Sequence, residues 1–131
     1  MGNLVFLPGV GPPRPDGTFA TGEVGTDVTV EWAIGHARLT GLVLLAAMRE
    51  AAGGLDQVVR VGEVFGTVNA PPGFTEHPQA INGCSAPLVE VLGECGRHAR
   101  SAVGEAPRHS TAPWDSKRWS KWPDARARRP G

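Results

Sequence analysis

"GECGRHARSAVG", residues 93–104, joins two kinds of periodicity, and its reading decides the fold. Upstream of it, Ile81, Cys84, Leu88, Val91, Leu92 and Cys95 recur at helical spacing, and Pro78 suits the first turn of such a helix. Gly96 supplies an end to that helix. After Arg97-His98-Ala99, the run Arg100 to Val103 reads as the opening of a strand, so the stretch is a helix-to-strand crossover.

Working outward, "VVRVGEVFGTV" at 58–68 is rich in β-branched residues. Val59, Val61 and Phe65 fall on one parity with Glu63 as the exception, which predicts a strand buried on at least one face. "NAPPGF" at 69–74 is a loop by its Pro and Gly content. Further upstream, Thr29 is placed to cap a helix running from Val30 to Ala52, with Glu31 opposing the helix dipole. Ala33, Ala37, Gly41, Leu44, Met48 and Ala51 form its inner stripe, small enough for close approach to a sheet, and Gly53-Gly54 gives a left-handed stop. Leu4 to Leu7 reads as a short first strand, followed by Pro- and Gly-rich turns and a hairpin-like return through Thr18 to Thr21. The predicted order is two strands, helix, strand, helix, strand.

A chain of 131 residues supports one domain with one core. Charge divides it unevenly: residues 1–104 carry six Lys/Arg against ten Asp/Glu, residues 105–131 seven against three. The second segment holds no Val, Ile, Leu, Met or Phe, yet contains Trp114, Trp119 and Trp122. The expected organisation is therefore a folded domain over 1–104 and a basic, tryptophan-containing, disordered tail over 105–131. A reading-frame shift near Gly104 would produce such a change. Basic residues interleaved with tryptophan could bind single-stranded nucleic acid or an anionic membrane surface, but a merely solvated tail is the preferred reading.

No run of 18 apolar residues is present and the N-terminus lacks the form of a secretory signal, so a cytoplasmic protein without a membrane partner is expected. Cys84 and Cys95, read as parts of one helix, would lie about 16 Å apart, too far for a disulfide, and both are expected as reduced core residues. His36, His77, His98 and His109 do not fall at metal-ligand spacing with them. Neither a metal nor an organic cofactor is expected.

Arg100 stands out because it lies just past a helix end at the mouth of a strand. There a guanidinium can enter a cleft and bind a carboxylate through two parallel hydrogen bonds. The alternative is a surface or ion-paired arginine, a reading that applies more strongly to Arg97 and His98.

The segments "GNLVFLPG" at 2–9, "TGEVGTDVTVEWAIGHARLTGLVLLAA" at 21–47 and the continuous run from Leu55 to Gly104, with "VNAPPGFT", "INGCS" and "GRHARSAVG" within it, resemble the RidA/YjgF family, specifically its longer branch. The resemblance implies a chorismate-mutase-like α+β fold, with a mixed sheet and two helices on one face. It also implies a homotrimer with clefts between subunits and the hydrolysis of small enamine or imine acids to 2-keto acids and ammonia. By the same resemblance, Arg100 holds the substrate carboxylate and the backbone carbonyl of Ala102 helps to hold the nitrogen or the water. A non-enzymatic ligand-binding trimer or inactive remnant is the competing expectation, and RNA binding or cleavage, in line with the family's older endoribonuclease label, the weaker one. The family's final strand, with its water-orienting glutamate, has no counterpart after Gly104, so this strand is expected to be missing.

Overall fold

The computed structural model describes residues 3–105, and the expectations for the tail beyond Glu105 lie outside them. Four main elements order the chain: α1 (Val30–Ala52), β1 (Glu63–Asn69), α2 (His77–Leu92) and β2 (Ala99–Glu105). The strands pair in parallel, from Glu63 opposite Ala99 to Asn69 opposite Glu105. A parallel pair needs a long crossover, and α2 supplies it. The result is an α+β arrangement with two helices on one side of a small sheet.

Local signals fix α1 at both ends. Thr29 accepts a hydrogen bond from the backbone N–H of Trp32, and Gly53, at φ 83°, adopts the left-handed stop. Pro78 lies in the first turn of α2, as its missing N–H allows. The C-terminal end differs from expectation. Gly93, at φ 63°, stops α2 after Leu92, and a 3-10 turn spans Gly93–Gly96. Cys84 is therefore buried in α2, whereas Cys95 sits in the turn and is exposed.

Glycines set how closely the layers approach. A Cβ on Gly41 of α1 would lie 2.7 Å from Pro87 Cγ and 2.8 Å from the Cys84 carbonyl oxygen of α2. One on Gly83 would collide with the backbone carbonyl of Ile34. The small-residue stripe thus brings α1 close to α2, where the sequence had suggested a sheet. Pro87, inside α2, forfeits one helical hydrogen bond but is fully buried at this crossing.

α2 lies directly on the sheet. Ile81 occupies the space above Gly66, where a Cβ would lie 2.6 Å from its Cδ1. Val24, Val68, Ala70, Ala80 and Ile81 form the core, with Val30 and Ala33 of α1 and Ala102 of β2 packed against them. The inward parity of β1 is therefore that of Val68, opposite to expectation: Phe65 is 66% exposed on the other face. The expected parity fails because the strand begins only at Glu63. Val59 precedes it and is exposed, while Val61 is buried by the return turn, its N–H donating to the Cys95 carbonyl at 2.8 Å.

Leu4 to Leu7 form no strand. Leu4, Val5 and Phe6 are exposed, and apolar character alone does not order a strand that has no neighbour among the described residues. The return at Thr18 does occur, as a bridge between Pro13 and Phe19 with Ala20 N–H donating to the Pro12 carbonyl at 2.8 Å.

Among the described residues, α1 alone has the length and hydropathy of a membrane span, with a mean of 1.2. One side of it packs on α2, with Gly41 and Leu45 buried and Arg38 in a bidentate ion pair with Glu90, while Trp32, Leu39 and Leu42 stay exposed.

Candidate functional site

Two polar residues interrupt the apolar body of α2. Asn82 and Ser85 are three apart and so share a face of the helix. The chain then doubles back through the 3-10 turn. Gly96 is buried so closely against the last turn of α2 that a Cβ would collide with the Leu88 carbonyl. This fold-back carries His98 and the first residues of β2 over Asn82 and Ser85.

Arg100, opposite Val64 in the register, reaches across the helix-covered side of the sheet. Its Nη1 donates to Asn82 Oδ1 at 2.6 Å and to Ser85 Oγ at 3.3 Å. Ser85 Oγ is in turn 3.0 Å from His98 Nε2, and His98 Nδ1 is 2.6 Å from the Gly96 carbonyl oxygen. A carbonyl only accepts, so Nδ1 carries the ring proton of neutral His98 and Nε2 accepts from the Ser85 hydroxyl. The four groups thus form a directed chain from Arg100 through Ser85 and His98 to Gly96.

Arg100 is exposed and makes no ion pair among the described residues. With Nη1 anchored, the rest of the guanidinium fork is available to an oxyanion. Cys84 lies near enough to feel this charge: burial pushes its thiol up, while the positive Arg100 pulls the other way. A buried thiol held protonated is a poor nucleophile.

Ala102 is half-buried against the core. The N–H of Ala99 donates to the Gly62 carbonyl at 3.0 Å, so Ala99 directs its polar groups toward β1. Strand alternation turns those of Arg100 and Ala102 the opposite way, toward the edge of β2 that pairs with no strand among the described residues. The backbone polar groups of Arg100 and Ala102 therefore share one edge, while the Arg100 guanidinium lies over α2. No group of three or more metal-binding side chains occurs among the described residues.

Sequence reading singled out Arg100 but not Asn82 or Ser85, and it set His98 aside as a surface residue. Their signal was faint: a polar pair on an apolar helix, with a glycine eleven positions beyond Ser85 on which the fold-back turns.

The family model described as "YjgF/chorismate_mutase-like, putative endoribonuclease" matches residues 14–117. The chain belongs to this family. Protein TCP17 of Trypanosoma cruzi is 39% identical over 106 residues, which cover 80% of this chain and 66% of that protein. The crystal structure of Atu1372 from Agrobacterium tumefaciens, described as of unknown function, is similar at 41% identity and a TM-score of 0.68, over 76% of this chain and 65% of that one. A Shewanella oneidensis MR-1 structure, described as a putative endoribonuclease, has 30% identity and a TM-score of 0.67, over 80% of this chain and 76% of that one. The chain thus spans about two thirds of the length of the first two relatives.

Proposed function

We propose that the protein hydrolyses small, carboxylate-bearing imines and enamines to 2-keto acids and ammonia, with Arg100 as the carboxylate clamp. The observation that carries this reading is a strand-mouth guanidinium anchored by Asn82 and Ser85 through one nitrogen, with the rest of its fork exposed. An imine in water is already prone to hydrolysis. The protein therefore needs mainly to fix the substrate and place a water beside the electrophilic carbon, work that requires no metal or organic cofactor. The Ala102 carbonyl, at the unpaired edge of β2 two residues beyond Arg100, is suited to accept a hydrogen bond from the substrate nitrogen or the attacking water.

A homotrimer in the cytoplasm is part of the proposal. The sheet face away from the helices carries Phe65, 66% exposed, and Val103, 42% exposed, and such a face suits burial against further copies of the chain.

The test is keto-acid formation from 2-aminoacrylate released in situ by a pyridoxal-phosphate enzyme, with light scattering to give the solution mass. Wild-type protein is expected to accelerate hydrolysis and Arg100→Ala to abolish it. Wild-type protein that gives no acceleration refutes the reading, and salt-sensitive RNA cleavage requiring Arg100 would replace it.

A further inference from the structure

The clamp accounts for binding but not for removal of a proton from the attacking water. Ser85 and His98 lie beside it. Ser85 Oγ is 3.3 Å from the Arg100 nitrogen and 3.0 Å from His98 Nε2, and both Ser85 and His98 are half-buried. A surface serine and histidine would turn toward water. This pair is instead aligned by two flanking contacts, Arg100 on one side and the Gly96 carbonyl on the other.

We infer that Ser85 and His98 form a proton relay for imine hydrolysis, with Ser85 touching the attacking water and His98 taking up the proton through it. The inference rests on the hydrolytic reading above. In an imino acid the carboxylate is bonded directly to the electrophilic carbon, so the clamp that fixes the carboxylate also fixes that carbon near Ser85, and ordered water can bridge the gap to Ser85 Oγ. The serine oxygen donates to His98 and still has lone pairs to accept from Arg100 and from water.

The steps balance. Water adds through its oxygen to the iminium carbon, and the C=N π pair moves to nitrogen. The water proton passes to Ser85 Oγ as the serine proton passes to His98 Nε2, leaving a carbinolamine and a protonated imidazole. The proton then returns through Ser85 to the carbinolamine nitrogen. The C–N bond breaks, the hydroxyl oxygen forms the ketone, and the hydroxyl proton leaves with ammonia as ammonium. One imine cation and one water become one keto acid and one ammonium ion, without an oxidant or a second substrate.

His98 acts through Ser85 and is a positioning and proton-holding residue. His98→Asn tests it directly, because an amide placed near Nδ1 can still donate to the Gly96 carbonyl but offers no acceptor at the Nε2 position. The experiment compares full-length wild type, Ser85→Ala and His98→Asn on 2-aminoacrylate released in situ, with kcat and KM separated and rates measured in H2O and D2O. Both variants are expected to lose roughly 100-fold or more in kcat, the usual reach of general acid–base help; KM should change by less than about twofold in His98→Asn and rise in Ser85→Ala, because Ser85 also anchors Arg100. The wild-type solvent isotope effect should shrink in both. Ser85→Thr, which keeps the hydroxyl, should retain most of the rate, and His98→Gln, whose amide can accept from Ser85 but cannot hold a proton, serves if His98→Asn does not fold.

An active wild type matched in kcat by Ser85→Ala or His98→Asn overturns the relay and leaves the hydrolytic reading standing. A covalent adduct on Ser85 during turnover would overturn it in favour of a nucleophilic serine. A folded wild type without turnover overturns both readings.

Discussion

Alanine should have opposite effects at two helical glycines, because only one of them faces another helix. Gly35 lies in α1 with nothing within 4 Å of the position a Cβ would take, whereas the same atom on Gly83 of α2 would collide with the Ile34 carbonyl of α1 and lie 3.0 Å from its Cα. In an open helical site Gly→Ala gains up to about 1 kcal/mol from backbone entropy and helix propensity. At Gly83 the obstruction is backbone, which cannot rotate aside as a side chain could, so the helices must separate. Overpacking costs about 1–3 kcal/mol, and a rigid obstacle puts Gly83→Ala at the upper end. Net of the propensity gain, about 2 kcal/mol is lost, or roughly 10 °C in the melting midpoint of a domain this size. Urea unfolding followed by circular dichroism, with a thermal scan at matched protein concentration, measures both variants. Stabilisation of both, or destabilisation of both by the same amount, would refute the close helix crossing.

Arg100→Lys keeps the charge but loses the planar fork, so KM for a carboxylate substrate should rise at least tenfold while the fold is unchanged; an unaltered KM would remove Arg100 from the site. A thiol reagent should modify one cysteine rapidly in the native protein, exposed Cys95, and reach buried Cys84 only on unfolding, which mass spectrometry of labelled peptides would decide. Arg38 holds the Glu90 carboxyl below its usual range through a bidentate contact at 2.9 and 3.1 Å. A carboxyl depressed in the folded state stabilises above its unfolded pKa and loses that contribution as pH falls through the folded value. The Glu90→Gln variant should therefore be less stable than wild type near neutrality, converge with it in acid, and differ less at high salt.

The parts of the fold legible in the sequence were those specified by local chemistry. Thr29 and Gly53 bounded α1, and Pro78 marked the start of α2, because caps and proline act within a turn of themselves. Apart from the end of α2, which Gly93 stops before Gly96, the failures required a neighbour. Leu4 to Leu7 has strand composition but no ladder among the described residues, and Phe65 has the expected apolarity on the face that the helices leave open. Small residues in α1 announced a close approach without saying to what. The same division runs through the site. Arg100 could be singled out from its place between helix and strand, whereas Asn82, Ser85 and His98 acquire meaning only after the turn at Gly96 folds β2 back over α2.

Because β1 and β2 run parallel, no tight hairpin can join them, and the whole stretch between Glu63 and Ala99 is spanned as one loop when the first rung closes. The entropy of closing so long a loop grows only logarithmically with its length, but it falls due before any strand pairing offsets it. Asn82, Ser85, His98 and Arg100 all lie within that one loop or on its closing strand. The contacts within the Arg100 site span only 13 to 18 residues, so the turn at Gly96 can bring them together ahead of the ladder, and closure of the crossover then holds that fold-back against β1.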